Sequence, residues 1–261
     1  MTEKIYVAMH KKVELPKLDS LYEPLLVGSF NKKENIGLIR DDSGKNISEK
    51  NENYCELTGI YWIWKNSKED IVGLCHYRRF LAKNKLWKVN SNDYLSKNDI
   101  IKDLADGVDI ILPEKNYFIG KIISETSTAP NMDDMKIVED IIKERYPEYL
   151  NDYKEFINNN AAYLCNVMVA KKNIFDKYCE WLFDILFETE KRMDKETYIN
   201  DPYRKRMFGF ISERLLNVWI NHNESKYSLK TYPMINTEEN IWNRIEKKVI
   251  QKIRKNKNVL N

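Results

Sequence analysis

The segment Ile71-Val72-Gly73-Leu74-Cys75, running straight into His76-Tyr77-Arg78-Arg79, constrains this chain more than any other. An apolar run of that length without alternation predicts a central strand buried on both faces. A sheet covered on both faces belongs to an α/β architecture. Open α/β sheets bind ligands outside the carboxyl ends of their strands, where His76, Tyr77, Arg78 and Arg79 would fall. Adjacent arginines there suit an anion, because the guanidinium fork matches phosphate oxygens. Pairing of Arg78 and Arg79 with surface carboxylates accounts for the same spacing equally well.

Upstream of this strand, Leu57, Ile60, Tyr61, Trp62 and Trp64 predict a buried helix over 54–65, closed by a polar break at 66–70. Residues 4–9 predict an opening strand with His10-Lys11-Lys12 as its exit loop. A first strand commonly meets a base or ribose there, so His10 and Lys11 are candidate nucleotide contacts, with a plain polar loop as the alternative. Residues 22–28 read as a second extended segment. Residues 41–51 are dense in side chains that bond their own backbone; as a wall of a ligand site rather than a connector, they offer Asp42, Asn46 and Ser48. Glu56 either contacts a ligand hydroxyl or complements the N-terminus of the helix it opens.

Downstream, 96–104 predicts a helix capped by Ser96, Asn98 or Asp99. Residues 108–113 predict a strand closed by its proline. The irregular stretch 116–132 is expected to form a lid or acceptor loop. Residues 133–151 predict an amphipathic helix broken at Pro147, and 149–158 continues it. Residues 161–170 predict one apolar strand with Asn166 in its middle, whose buried amide must find partners. The stripe on the helix over 174–191 is packing. Residues 204–217 read as a loop-to-helix junction, with Gly209 in the loop and Ser212 as cap. Glu213 and Arg214 then fall in the first turn, where a carboxylate is suited to act as general base on a hydroxyl. The plain alternative pairs Glu213 with Arg214 or Arg206.

With 261 residues, 43% hydrophobic and 12% aromatic, the chain can bury a sizeable core, and no low-complexity linker divides it. The expectation is one domain over residues 1–235 and a separate tail over 236–261. Net charge is +3, which argues against bulk nucleic-acid binding. Cys55, Cys75, Cys165 and Cys179 form no C-x-x-C pair, and three histidines cannot assemble a convincing zinc set. The first residues lack the apolar core of a signal peptide, so a cytoplasmic protein is expected. In the tail, Ile241, Trp242, Ile245, Val249 and Ile253 recur about every four residues opposite a basic row. Such a helix either lies on anionic lipid at the inner membrane face or docks on the domain with its basic face solvated.

The motifs E-L-T-G-x-Y-W-x-W-K-N, V-G-L-C-H-Y-R-R-F and G-F-x-S-E-R-L-L-x-x-W resemble the signature of a bacterial family of domains of unknown function. That family is associated with capsular, exopolysaccharide and lipopolysaccharide gene clusters and regarded as glycosyltransferases. The resemblance runs over roughly residues 3–235. It implies a single GT-A-like (Rossmann-like) nucleotide-sugar-binding α/β domain, with a mixed central sheet flanked by helices. It further implies a hexose moved from a UDP-sugar, galactose as pyranose or furanose, to a saccharide or lipid-linked oligosaccharide acceptor. An H-K pair after the first strand and a D-D-x-G-x-N-I-S-x-K-N segment match the family as well, which supports His10, Lys11, Asp42, Asn46 and Ser48 as nucleotide or sugar contacts, with Glu56, Tyr77 and Asn166. The Asn166 strand is similar to the N-x-G-V-M strand of GT-A enzymes, although Val167 stands where a residue and then Gly would follow. Glu213 sits where many GT-A enzymes carry an acidic residue facing the acceptor, with Ser212 and Arg214 beside it.

Glycosyl transfer needs the leaving diphosphate stabilised and the acceptor hydroxyl deprotonated. Many GT-A enzymes hold a divalent metal with D-x-D, and this sequence contains none. The expectation is that Arg78 and Arg79, with His76, replace or supplement the metal. Mg²⁺ or Mn²⁺ stays open, with Asp41, Asp42 or Asp109 as ligands. Another phosphate-handling enzyme is disfavoured by the lack of a G-x-x-x-x-G-K-[ST] loop. A non-catalytic sugar-nucleotide or polysaccharide-binding subunit is the remaining alternative.

Overall fold

A computed structural model describes residues 2–32, 37–84, 91–122 and 130–258. The chain opens with strands β1 (Glu3–Met9), β2 (Tyr22–Leu26) and β3 (Ile39–Arg40), then helices α1 (Asn51–Tyr54) and α2 (Leu57–Asn66). Strand β4 (Ile71–His76) turns back into β5 (Arg79–Leu81), followed by α3 (Lys97–Ala105), β6 (Ile110–Pro113) and β7 (Asn116–Tyr117). Next come α4 (Met132–Arg145), α5 (Leu150–Asn158), β8 (Ala161–Ala162), β9 (Met168–Lys171) and the long α6 (Lys172–Arg192). The remainder comprises α7 (Glu196–Ile199), α8 (Met207–Asn223), β10 (Leu229–Tyr232), β11 (Met234–Asn236) and α9 (Ile241–Asn258). Ser124, Thr126, Ser127 and Thr128 of the expected lid lie outside the described residues.

The main sheet runs β10-β6-β9-β4-β1-β2-β3, with β5 pairing β4 and β11 pairing β5. It is mixed: β4, β1, β2 and β3 are mutually parallel, and β9 runs antiparallel between β4 and β6. This is the α/β class expected, a mixed central sheet flanked by helices. Side chains alternate across it. Tyr6, Ala8, Val72 and Leu74 face a core shared with α2, α4, α5, α6 and α8. Ile5, Val7, Ile71 and Cys75 face a smaller core under Phe80, Leu95 and Ile100. Gly73 belongs to β4 for a steric reason. A Cβ there would stand 2.7 Å from Val169 Cγ2 and 2.8 Å from the Met168 carbonyl on β9.

Three elements depart from the reading of their sequence, and all three shape the site. The helix expected over 54–65 breaks at Cys55, whose φ is +52°, so α1 ends at Tyr54 and Glu56 becomes the N-cap residue of α2. The strand expected over 161–170 splits, because Cys165 and Asn166 adopt left-handed backbone with φ of +70° and +49°. The junction expected at 204–217 is already helical from Met207, which places Gly209, Ser212 and Glu213 inside α8. Ser212 therefore caps nothing; its Oγ donates back to the Gly209 carbonyl at 2.7 Å. Gly209 lies within the helix despite an intrinsic cost of ~1 kcal/mol, and Cys55 packs against it, 3.4 Å from where a Cβ would stand. Tyr54 stacks on Phe208 with centroids 4.7 Å apart and so clamps α1 to α8, a contact worth about 0.5–1.5 kcal/mol beyond burial.

Candidate active site

The parallel strands β1 and β4 end side by side, and their exit residues form a basic rim. The His10 ring meets the Tyr77 ring edge-on at 5.3 Å, and the Arg78 guanidinium lies 5.5 Å from the centroid of the same Tyr77 ring. Lys32 Nζ donates to the His10 carbonyl at 2.9 Å and to the Val27 carbonyl at 3.2 Å. Burial, then Lys11, Lys32 and Arg78, hold the His10 imidazole below its ordinary pKa. Cations are thus concentrated where a diphosphate would compensate them. Arg78 pairs with Glu238 at 2.9 Å, but both side chains are well exposed. Such pairs contribute only ~0–1 kcal/mol, so a phosphate can displace Glu238 at little cost.

Arg79 belongs to the same turn. It is paired in register with His76 and with Asn236 of β11, and its charge acts on Cys165, His76 and Glu213. Here two carboxylates converge from different elements, Glu56 from the α2 N-terminus and Glu213 from α8. Asn166 lies between them. Its Nδ2 donates to Glu56 Oε1 at 2.8 Å and to Ser212 Oγ at 2.9 Å. The adjacent Cys165 N–H donates to Glu213 Oε1 at 3.1 Å. The left-handed pair Cys165-Asn166 makes the donations to the two carboxylates from consecutive residues, at a backbone cost of roughly 1–3 kcal/mol each. Asn166 Oδ1 is buried without a partner. The acceptor Glu56 fixes the amide orientation, leaving Oδ1 to take a proton donor from a bound hydroxyl or a protonated carboxyl.

Burial, and next the Glu56 charge, push the Glu213 carboxyl up to about 7, against the opposing influence of Arg214, the Cys165 N–H and Arg79. A carboxylate with that affinity takes a proton near neutral pH without holding it. His76 has another function. Its Nε2 sits 2.7 Å from the Cys165 carbonyl, and burial holds its pKa below the ordinary value. His76 therefore holds the Cys165 turn, and Arg78 and Arg79 are the cations beside it. Arg206, exposed at the α8 N-terminus, bonds Cys55 and faces both carboxylates.

Other sequence candidates are held elsewhere. Ser212 is buried and serves Asn166. Arg214 Nη1 donates to the Phe210 carbonyl at 2.9 Å, and its side chain lines a small recess with Ile122, Pro130, Met135 and Ile157. Asp42 pairs with Arg40 at 2.7 Å, Asn46 bonds the Asp42 and Gly44 carbonyls, and Ser48 donates to Asp41 at 2.5 Å. Asp41 is fully buried and also accepts from Gly28 N, Ser29 N and Thr58 Oγ1. Arg40 in turn donates to the Ser29 and Lys32 carbonyls. This loop is a frame that holds the Lys32 segment against His10. Lys32, Glu238 and the Cys165 turn escaped sequence reasoning, and Arg206 entered it only as an alternative partner for Glu213. Only Lys32 left a signal, a basic pair following a short strand and glycine.

The carboxylates considered as metal ligands do not converge. Asp41 and Asp42 are occupied as described, and Asp109 pairs with Lys171 at 2.6 Å and accepts from Ser228 N. Among the described residues, no group of three or more His, Cys, Asp or Glu side chains is arranged to hold a metal.

The same architecture occurs in a solved structure described as the apo form of the WbbM bifunctional glycosyltransferase, with a TM-score of 0.79 and 30% sequence identity. The match covers 92% of this chain and 46% of that one, so this chain spans about half of its neighbour's length. No curated protein sequence matches. Residues 4–224 match the family described as Domain of unknown function (DUF4422), and the chain belongs to that family.

Proposed function

We propose that this protein is a glycosyltransferase that moves a hexose from a UDP-sugar to a growing cell-surface polysaccharide or lipid-linked oligosaccharide. The donor sugar in this reading is galactose, as pyranose or furanose. The observation that carries it is the half-buried Glu213 carboxyl, poised near neutrality beside Glu56 and Asn166 and adjoining the basic rim of β1 and β4. The likeness to one half of a bifunctional glycosyltransferase supports the same reading.

In this mechanism Arg78, Arg79 and Lys32 bind the donor diphosphate, and His10, Lys11 and Tyr77 flank the nucleotide. The acceptor hydroxyl lies against Glu213, held there by Asn166 and Glu56. Glu213 takes its proton as the acceptor oxygen bonds to the anomeric carbon. The bond from that carbon to the diphosphate oxygen breaks, and the departing UDP carries its electron pair toward the arginines. A single displacement of this kind inverts the anomeric configuration. Among the described residues no helix is long and apolar enough to cross a membrane. In this reading a lipid-linked acceptor is met at the inner membrane face.

Glu213→Gln preserves shape and removes the base. Its kcat with a UDP-hexose and a saccharide acceptor is expected to fall ~10²–10⁴-fold, with UDP affinity retained. Unchanged turnover would remove Glu213 from the mechanism. Nucleotide binding without turnover in the unsubstituted protein would make it a binding subunit instead.

A further inference from the structure

Helix α9 is docked the wrong way round for a domain-packing amphipathic helix. Its polar side faces the domain. Arg244 donates to the Asn236 carbonyl at 3.0 Å, Gln251 accepts from Tyr117 N at 2.6 Å, and Arg254 donates to the Tyr117 carbonyl at 3.1 Å. These residues follow one side of the helix, at i, i+7 and i+10. The opposite sector, at i, i+7 and i+11, carries Trp242, Val249 and Ile253, which are 75%, 53% and 52% exposed. Ile241 and Ile250 flank them and are exposed too. An apolar row turned outward on an anchored helix calls for an occupant.

Charge selects it. Helix α9 carries seven Lys and Arg residues against one carboxylate, Glu246. Lys252 stands beside the apolar row and Glu246 borders it on the other side, while Lys247 pairs with Glu239 and Lys255 lies over the Tyr117 ring. A second copy seated on this face would set two strongly basic helices against each other, whereas an anionic bilayer surface complements the net positive charge of the helix and takes the apolar row into its interface. Trp242 is suited to the headgroup boundary, where its apolar ring is buried and its N–H stays wet. We propose that the outward face of α9 docks this protein on membranes rich in anionic lipid. The helix begins just after Glu238, which pairs with Arg78, so docking brings the strand-end rim close to the lipid surface. This inference stands independently of which sugar nucleotide is used.

The test is sedimentation of the full chain with phosphatidylglycerol-containing vesicles and with pure phosphatidylcholine vesicles. Binding is expected to the former only, and to be lost in about 1 M salt, where the Debye length is ~3 Å. The triple variant Trp242→Ser/Val249→Ser/Ile253→Ser should bind at least about tenfold more weakly, with circular dichroism and UDP binding unchanged. Reversal of Lys252 to Glu should weaken binding at least about fivefold. Equal binding to both vesicle types, or none to either, would overturn the proposal. So would a concentration-dependent dimer that the triple variant abolishes, which would assign the face to a second copy.

Discussion

Glu213 and Glu56 illustrate how position sets the chemistry of a residue. Each is a glutamate near a helix start in the sequence, yet burial beside the other carboxylate moves Glu213 to about 7 from an ordinary 4.5. If Glu213 is the base, kcat/KM rises with pH through about 7 and then levels, and Glu213→Gln abolishes that limb. Glu56→Gln removes the neighbouring negative charge, so the limb should move to lower pH; a limb that stays in place would separate the two carboxylates. The same shift has a stability consequence. Because the folded-state pKa is raised, the native state binds this proton more tightly, and stability is fully present below pH about 4.5 and lost as pH rises through 7. Glu213→Gln should therefore stabilise the fold at pH 8 by on the order of 3 kcal/mol, an advantage that vanishes by pH 4, as urea unfolding at both values will show. Glu213, Glu56 and Asn166 were each legible as residue types with work to do. Their convergence was not, because it depends on left-handed Cys165 and Asn166, a backbone state stabilised by tertiary bonds rather than local propensity.

At the scale of elements, the β4 strand and the turn after it were the most legible part of the chain, since an uninterrupted apolar run states its own burial. Its glycine carries a further expectation. Gly73→Ala forces a methyl against Val169 and the Met168 carbonyl, and should destabilise by about 1–3 kcal/mol, measured as a lowered urea midpoint with unchanged slope. The turn separates into two roles. Arg78→Ala should weaken UDP binding, whereas Glu238→Ala frees Arg78 and should leave affinity unchanged or raised; a loss in both would make the ion pair structural. The start of α8 was misread because Gly209 and Ser212 are ordinarily helix breakers and caps. Here the helix starts at Met207 and is held by packing against α1, including Gly209 on Cys55 and Phe208 on Tyr54, contacts distant in sequence.

For the whole molecule, the alternation of strand and helix patterns was enough to reach an α/β sheet with basic residues following β1 and β4. It did not reveal which way α9 faces, since amphipathicity gives two faces without saying which meets the protein. The sheet gathers His10, Lys11, Lys32, Arg78 and Arg79 at one end, and that assembly carries the central claim of a nucleotide-sugar site clamped by cations. Isothermal titration with UDP, in Mn²⁺ and in EDTA, on the unsubstituted protein and on Arg78→Ala, tests it most directly. The expected result is binding that survives EDTA and weakens at least about tenfold in Arg78→Ala, in keeping with the loss of a charge-assisted phosphate contact. Binding that requires Mn²⁺ would contradict the arginine clamp, and no binding of UDP under either condition would contradict the site itself.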